Sequence, residues 1–105
     1  MHQIVLCNCP DESVAKMIAE KLITDQLAAC VNILPKMTSV YRWQGKVACD
    51  EEVMLMIKSK QQLFSQLEQA IIKLHPYEVV EIIALNIQQG NELYLNWITD
   101  SVKNN

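Results

Sequence analysis

The segment His75-Pro76-Tyr77-Glu78-Val79-Val80-Glu81 places an imidazole, a phenol and two carboxylates between two apolar stretches. Such groups ligate metals or form directed hydrogen bonds, and loops between packed elements are where binding groups usually sit. Pro76 lacks an amide donor and pushes His75 out of helical geometry, so it ends the preceding helix by itself. Ending a helix requires none of the other polar groups, which makes this loop a candidate site. A second cluster is Cys7-Asn8-Cys9. On an extended strand its two thiols share a face ~6–7 Å apart, too far for one metal unless the backbone bends after Cys7. With Cys30 and Cys49 the chain has four cysteines, none in a C-x-x-C pair, so zinc-ribbon and thioredoxin-type motifs are absent. Free buried cysteine also packs as a small hydrophobe, and that reading stays open for each of them.

These groups need elements to position them. The unbroken run Ile4-Val5-Leu6 suits a strand buried on both faces. Pro10 fits a first helical position, with Asp11 and Glu12 near the positive end of the helix dipole. Ala15, Ile18, Ala19, Leu22 and Ile23 then follow the amphipathic helix template. Ala29 to Leu34 reads as a strand ending at Pro35. Met37 to Gln44 alternates, with Tyr41 and Trp43 on one face; Gly45-Lys46 makes the turn and Lys46 to Ser59 returns. Extended, that arm would reach ~40 Å against ~17–20 Å for a typical strand, so a bulge is expected near Cys49-Asp50-Glu51-Glu52. Ser59 with Gln62 has the capping-box pattern for a second helix striped by Leu63, Leu67, Ala70, Ile71 and Leu74. Ile82-Ile83-Ala84-Leu85 with Ile87 predicts a buried strand. Asn91 caps a last helix with Tyr94, Trp97, Ile98 and Val102 on one side.

The order β-α-β-β-α-β-α predicts an α+β fold: a ferredoxin-like βαββαβ subunit with an extended β-hairpin and a C-terminal helix, in one domain over residues 1–105. A two-stranded ribbon projecting alone is marginal in water and exposes unpaired edges, so its length predicts a homo-oligomer. A net charge of -3 and dispersed basic residues argue against nucleic acid or an anionic membrane surface as partner. No apolar run approaches the ~20 residues of a membrane span. Met1-His2-Gln3 lacks a basic leader region, so a cytoplasmic location with reduced thiols is expected. Gly45 and Gly90 are the only glycines, which excludes a Gly-rich phosphate loop, and no G-x-S-x-G is present. A Cys7–His75 dyad is the only nucleophilic option. The expectation is a binding protein, not an enzyme.

The combined pattern resembles the CutA divalent-cation tolerance family. The resemblance is carried by Cys7 with Pro10-Asp11-Glu12, by Leu27-Ala28-Ala29-Cys30-Val31-Asn32-Ile33, and by Ser39, Tyr41, Trp43 and Gly45-Lys46. Glu52, Lys58, His75-Pro76-Tyr77-Glu78, Glu81-Ile82, Tyr94 and Trp97 complete it, over nearly the whole chain. It implies a tight homotrimer of ferredoxin-like subunits. It also implies a role in the response to divalent metal ions, with copper bound through Cys7 and His75. Thiolate and imidazole are the donors expected for copper, not for magnesium or calcium. The competing reading of His75 is a helix-end imidazole favoured by the dipole. His2, beside the terminal amine, is a second, adventitious copper chelator.

Three positions depart from the family pattern. Leu74 stands where some bacterial relatives carry a further histidine, Val80 where proline is common, and Lys36 where glycine is common. The family trimer also resembles the PII signalling proteins, which bind small ligands between subunits, and animal relatives are linked to anchoring of a membrane-bound esterase. The alternative function is therefore a small-ligand sensor or adaptor trimer. Its intersubunit cleft would be lined by Tyr41, Trp43, Lys58, Tyr77 and Glu78. Such a set suits a small polar or zwitterionic ligand. Glu52, Glu78 and Glu81 read as solvated, or as paired with Lys46 or Lys58.

Overall fold

The computed structural model describes residues 1–104. Strand β1 (His2–Cys9) leads into helix α1 (Glu12–Thr24), then strands β2 (Cys30–Ile33), β3 (Met37–Trp43) and β4 (Lys46–Lys60). A single 3-10 turn (Gln61–Leu63) opens into α2 (Phe64–Leu74), followed by β5 (Ile82–Asn86) and α3 (Glu92–Ser101). The antiparallel sheet runs β2-β4-β1-β5, with β3 paired to the outer half of β4. Taken together, β2 and β3 form one interrupted strand, and the order is then that of the ferredoxin-like fold.

Strand parity builds the two faces. Val5, Cys7 and Cys9 on β1, with Val53, Leu55 and Ile57 on β4, are buried under α1 and α2, where Ile18, Leu22, Leu67 and Ile71 meet them. Alternate residues of a strand point to opposite faces, so Ile4, Leu6, Met54, Met56, Ile83 and Leu85 occupy the other face. That face is only partly covered: β1 alternates between buried and half-buried residues, and Ile83 and Leu85 on β5 are exposed. In the single chain the two-sided burial expected for β1 and β5 is therefore incomplete on this second face. Helix α3 packs against β4 and β1, with Ile98 buried, but Tyr94 and Trp97 remain exposed with their rings 5.5 Å apart.

The helix starts differ from the sequence-based expectation in their caps. Asp11, not Pro10, sets the start of α1: it is the N-cap, and its carboxylate accepts from the Val14 amide at 2.9 Å. Gln26 closes α1 with φ 57, while the Gln26 and Leu27 amides bond back to Ile23 and Leu22. Ser59 caps nothing. It stays in β4 opposite Gln3, and its buried hydroxyl donates to the Leu27 carbonyl at 2.6 Å, so α2 begins through the 3-10 turn. Asn91 does cap α3, accepting from the Tyr94 amide at 3.0 Å.

The hairpin carries two further corrections. Its turn is Gln44-Gly45, closed by the Trp43–Lys46 pair, and both central residues have positive φ. That is the conformation that matches strand twist in a two-residue loop. The expected bulge at Cys49–Glu52 is absent, because β3 and β4 keep one register from Trp43–Lys46 to Met37–Glu52. The irregularity falls on the opposite strand. Between the pairs Ile33–Leu55 and Met37–Glu52, the three residues Leu34-Pro35-Lys36 oppose Val53 and Met54. Pro35 has no amide to donate, so the ladder breaks there at little cost.

Candidate metal centre and adjoining groove

The end of β1, the end of α2 and the loop before β5 converge. Cys7 and Cys9 project from one face of β1, and His75 is the C-cap of α2, held extended by the following proline. One donor atom from each of Cys7, Cys9 and His75 lies within 4.8 Å of the others, and all three residues are buried. Spacing along an ideal strand puts Cys7 and Cys9 too far apart for one metal unless the backbone bends after Cys7. The backbone does not bend to close that gap, since β1 keeps its register with β4 through Cys9–Val53. The ~6–7 Å spacing applies to backbone positions two residues apart, and the thiols lean closer through side-chain rotation.

His75 is anchored through both ring nitrogens. Nδ1 accepts from the Tyr77 amide at 3.2 Å, and Nε2 therefore carries the proton and donates to the Asn8 carbonyl at 2.7 Å. This arrangement, and not a dipole contact alone, holds the imidazole. The thiols polarise each other. Interaction with Cys9, then burial, then the negative charges nearby push the Cys7 thiol well above its ordinary range; the partner Cys7 lowers Cys9. The donor set is chemically suited to a thiophilic ion. An ion would take one imidazole nitrogen in place of its present partner, and the thiols would bind as thiolates.

Beside this centre a groove of about 540 Å³ opens between the hairpin and the loop 77–81. Its lining includes Tyr41, Trp43, Tyr77 and Glu78, together with Asp50, Glu52 and Glu81. It is formed by residues of the single chain. Lys58 is not in its lining, because that side chain bonds to Asn32 on the neighbouring strand β2. Among the described residues no lysine or arginine of the same chain lines the groove. The carboxylates also have other partners than lysine. Tyr77 donates its hydroxyl to buried Glu52 at 2.9 Å, Tyr41 donates to Asp50, and Asn8 Nδ2 donates to Glu81 at 3.3 Å. Burial and then the Glu52 carboxylate push the Tyr77 hydroxyl well above the ordinary tyrosine range. Sequence reasoning missed Asn8, which joins the two features: its carbonyl meets His75 and its amide meets Glu81. Its position between the two cysteines was the available signal.

His2 lies elsewhere, its Nε2 2.8 Å from the Thr99 hydroxyl. Among the described residues no helix is long and apolar enough to cross a membrane.

The model of the CutA1 divalent ion tolerance protein family matches residues 3–101. The chain belongs to that family. It is 46% identical over 101 residues to the divalent-cation tolerance protein CutA of Thermus thermophilus, covering 96% of this chain and 98% of that protein. It is 48% identical over 99 residues to the mouse protein CutA, covering 91% of this chain but only 56% of that longer relative. A solved structure of the Thermus thermophilus divalent cation tolerance protein, 46% identical, superposes with a TM-score of 0.96, covering 98% of this chain and 100% of that one. The Oryza sativa CutA1 structure, 39% identical, superposes with the same TM-score of 0.96 over 99% of this chain and 95% of the other.

Proposed function

We propose that this CutA1 family member is a cytoplasmic homotrimer that binds copper through Cys7 and His75 and acts in the response to metal ions. The observation that carries the reading is the convergence of buried thiol and imidazole donors within 4.8 Å. A binding role is favoured over a cysteine enzyme by the same geometry. The Asn8 carbonyl and the Tyr77 amide engage both His75 nitrogens, so neither is directed at the Cys7 thiol as a general base.

The trimer is supported by apolar surface on the hairpin and the open sheet face. Val40, Trp43, Val47, Ile83 and Leu85 are all exposed in the single chain, and a projecting two-stranded ribbon with exposed apolar residues favours association. A second reading, a PII-like small-ligand sensor or adaptor, is favoured by the aromatic and acidic groove beside the centre.

Copper titration of the full chain in a His2→Ala background separates the readings. Loss of the bound copper on both Cys7→Ala and His75→Ala supports the metal reading. Parent-like binding by both variants overturns it and leaves the groove as the functional site.

A further inference from the structure

We infer that Cys9 is a third ligand of this centre, and that the centre takes a soft monovalent ion, Cu(I) or its analogue Ag(I), in preference to a divalent one. The inference rests on the copper reading of Cys7 and His75 and goes beyond it in ligand set and in ion class.

Geometry comes first. Donors bound at ~2.0–2.3 Å around one ion in a trigonal plane are ~3.5–4 Å apart. The three donor atoms already lie within 4.8 Å of one another, so small side-chain rotations close the set. Cys9 follows from Cys7 by strand parity alone, without any break in the β1–β4 register.

Donor chemistry then selects the ion. Two thiolates and an imidazole favour thiophilic metals, chiefly Cu(I) and zinc. Structural zinc is four-coordinate, and among the described residues no fourth histidine, cysteine or carboxylate joins the group. Three donors satisfy Cu(I), which has a filled d shell and no demand for a fourth. Magnesium and calcium need oxygen ligands and retained water, which a site with Cys7 and Cys9 fully buried and His75 7% exposed does not offer.

The test uses the full-length chain carrying His2→Ala, reduced and handled without oxygen. Cu(I) is titrated in competition with a chromogenic Cu(I) chelator, and zinc is titrated separately. We expect one Cu(I) per chain, not displaced by equimolar zinc, and Cys9→Ala should weaken Cu(I) binding by at least about tenfold. X-ray absorption at the copper edge of the Cys9-containing protein should show two sulfur neighbours and one nitrogen, a readout that does not depend on how the variant folds. If Cys9→Ala binds like its parent and only one sulfur is seen, this inference fails while the Cys7–His75 reading stands. If Cys7→Ala and His75→Ala also bind like the parent, both fail. Tighter binding of zinc than of Cu(I) overturns the ion class.

Discussion

The Nε2 atom of His75 lies 2.7 Å from the carbonyl oxygen of Asn8, tying the last turn of α2 to the end of β1. The same imidazole receives the Tyr77 amide, so one side chain joins the second helix, the first strand and the loop beside the groove.

His75→Ala should therefore lower stability even without metal. Removing one partner of a buried bond leaves the Asn8 carbonyl unpaired, at a cost of about 1–3 kcal/mol. Urea unfolding of the metal-free protein reads this directly. An unchanged midpoint would show that the imidazole contributes only when metal is bound.

Tyr77→Phe removes the donor to buried Glu52 and should cost a comparable, about 1–3 kcal/mol, since hydrogen bonds to charged groups are the stronger kind. The sign of the pH dependence follows from the raised folded-state value. The protonated hydroxyl contributes fully below the unfolded tyrosine pKa of about 10, and the contribution is lost as pH rises beyond it. The difference in unfolding midpoint between parent and variant should accordingly shrink in strong alkali. A difference that grows with pH would contradict the hydrogen bond.

Ser59 and Gln62 separate two accounts of how α2 begins. Ser59→Ala should destabilise by about 1–2 kcal/mol through the unpaired Leu27 carbonyl, while Gln62→Ala should change stability by less than about 0.5 kcal/mol as an exposed substitution. Equal losses in thermal unfolding would reinstate a capping box.

Trp43→Glu places a charge on the exposed apolar tip of the hairpin. For the proposed homotrimer, sedimentation should then show monomer or aggregate, against a stable trimer for the unmodified chain at micromolar concentration. A folded monomer of the unmodified chain would remove the trimer from the proposal.

Sequence alone determined what depends on local spacing. The 3.6-residue period of Ala15, Ile18, Ala19 and Leu22 specified α1 and its buried side. The alternation of β1 put Cys7 and Cys9 on one face, and Pro76 fixed where α2 stops. The motif order was enough to indicate the family and the ferredoxin-like topology. Tertiary structure decided everything that depends on which distant segments meet. It put His75 against a strand that begins the chain, it turned the Ser59 hydroxyl to Leu27, and it sent Lys58 to Asn32, away from the groove. It also placed the strand irregularity at Leu34–Lys36. The physical reason is the same in each case. A polar side chain takes whichever partner the packed chain brings within about 3 Å, and a sequence gives the spacing of neighbours along the chain, not the rotamers and registers that bring remote groups together.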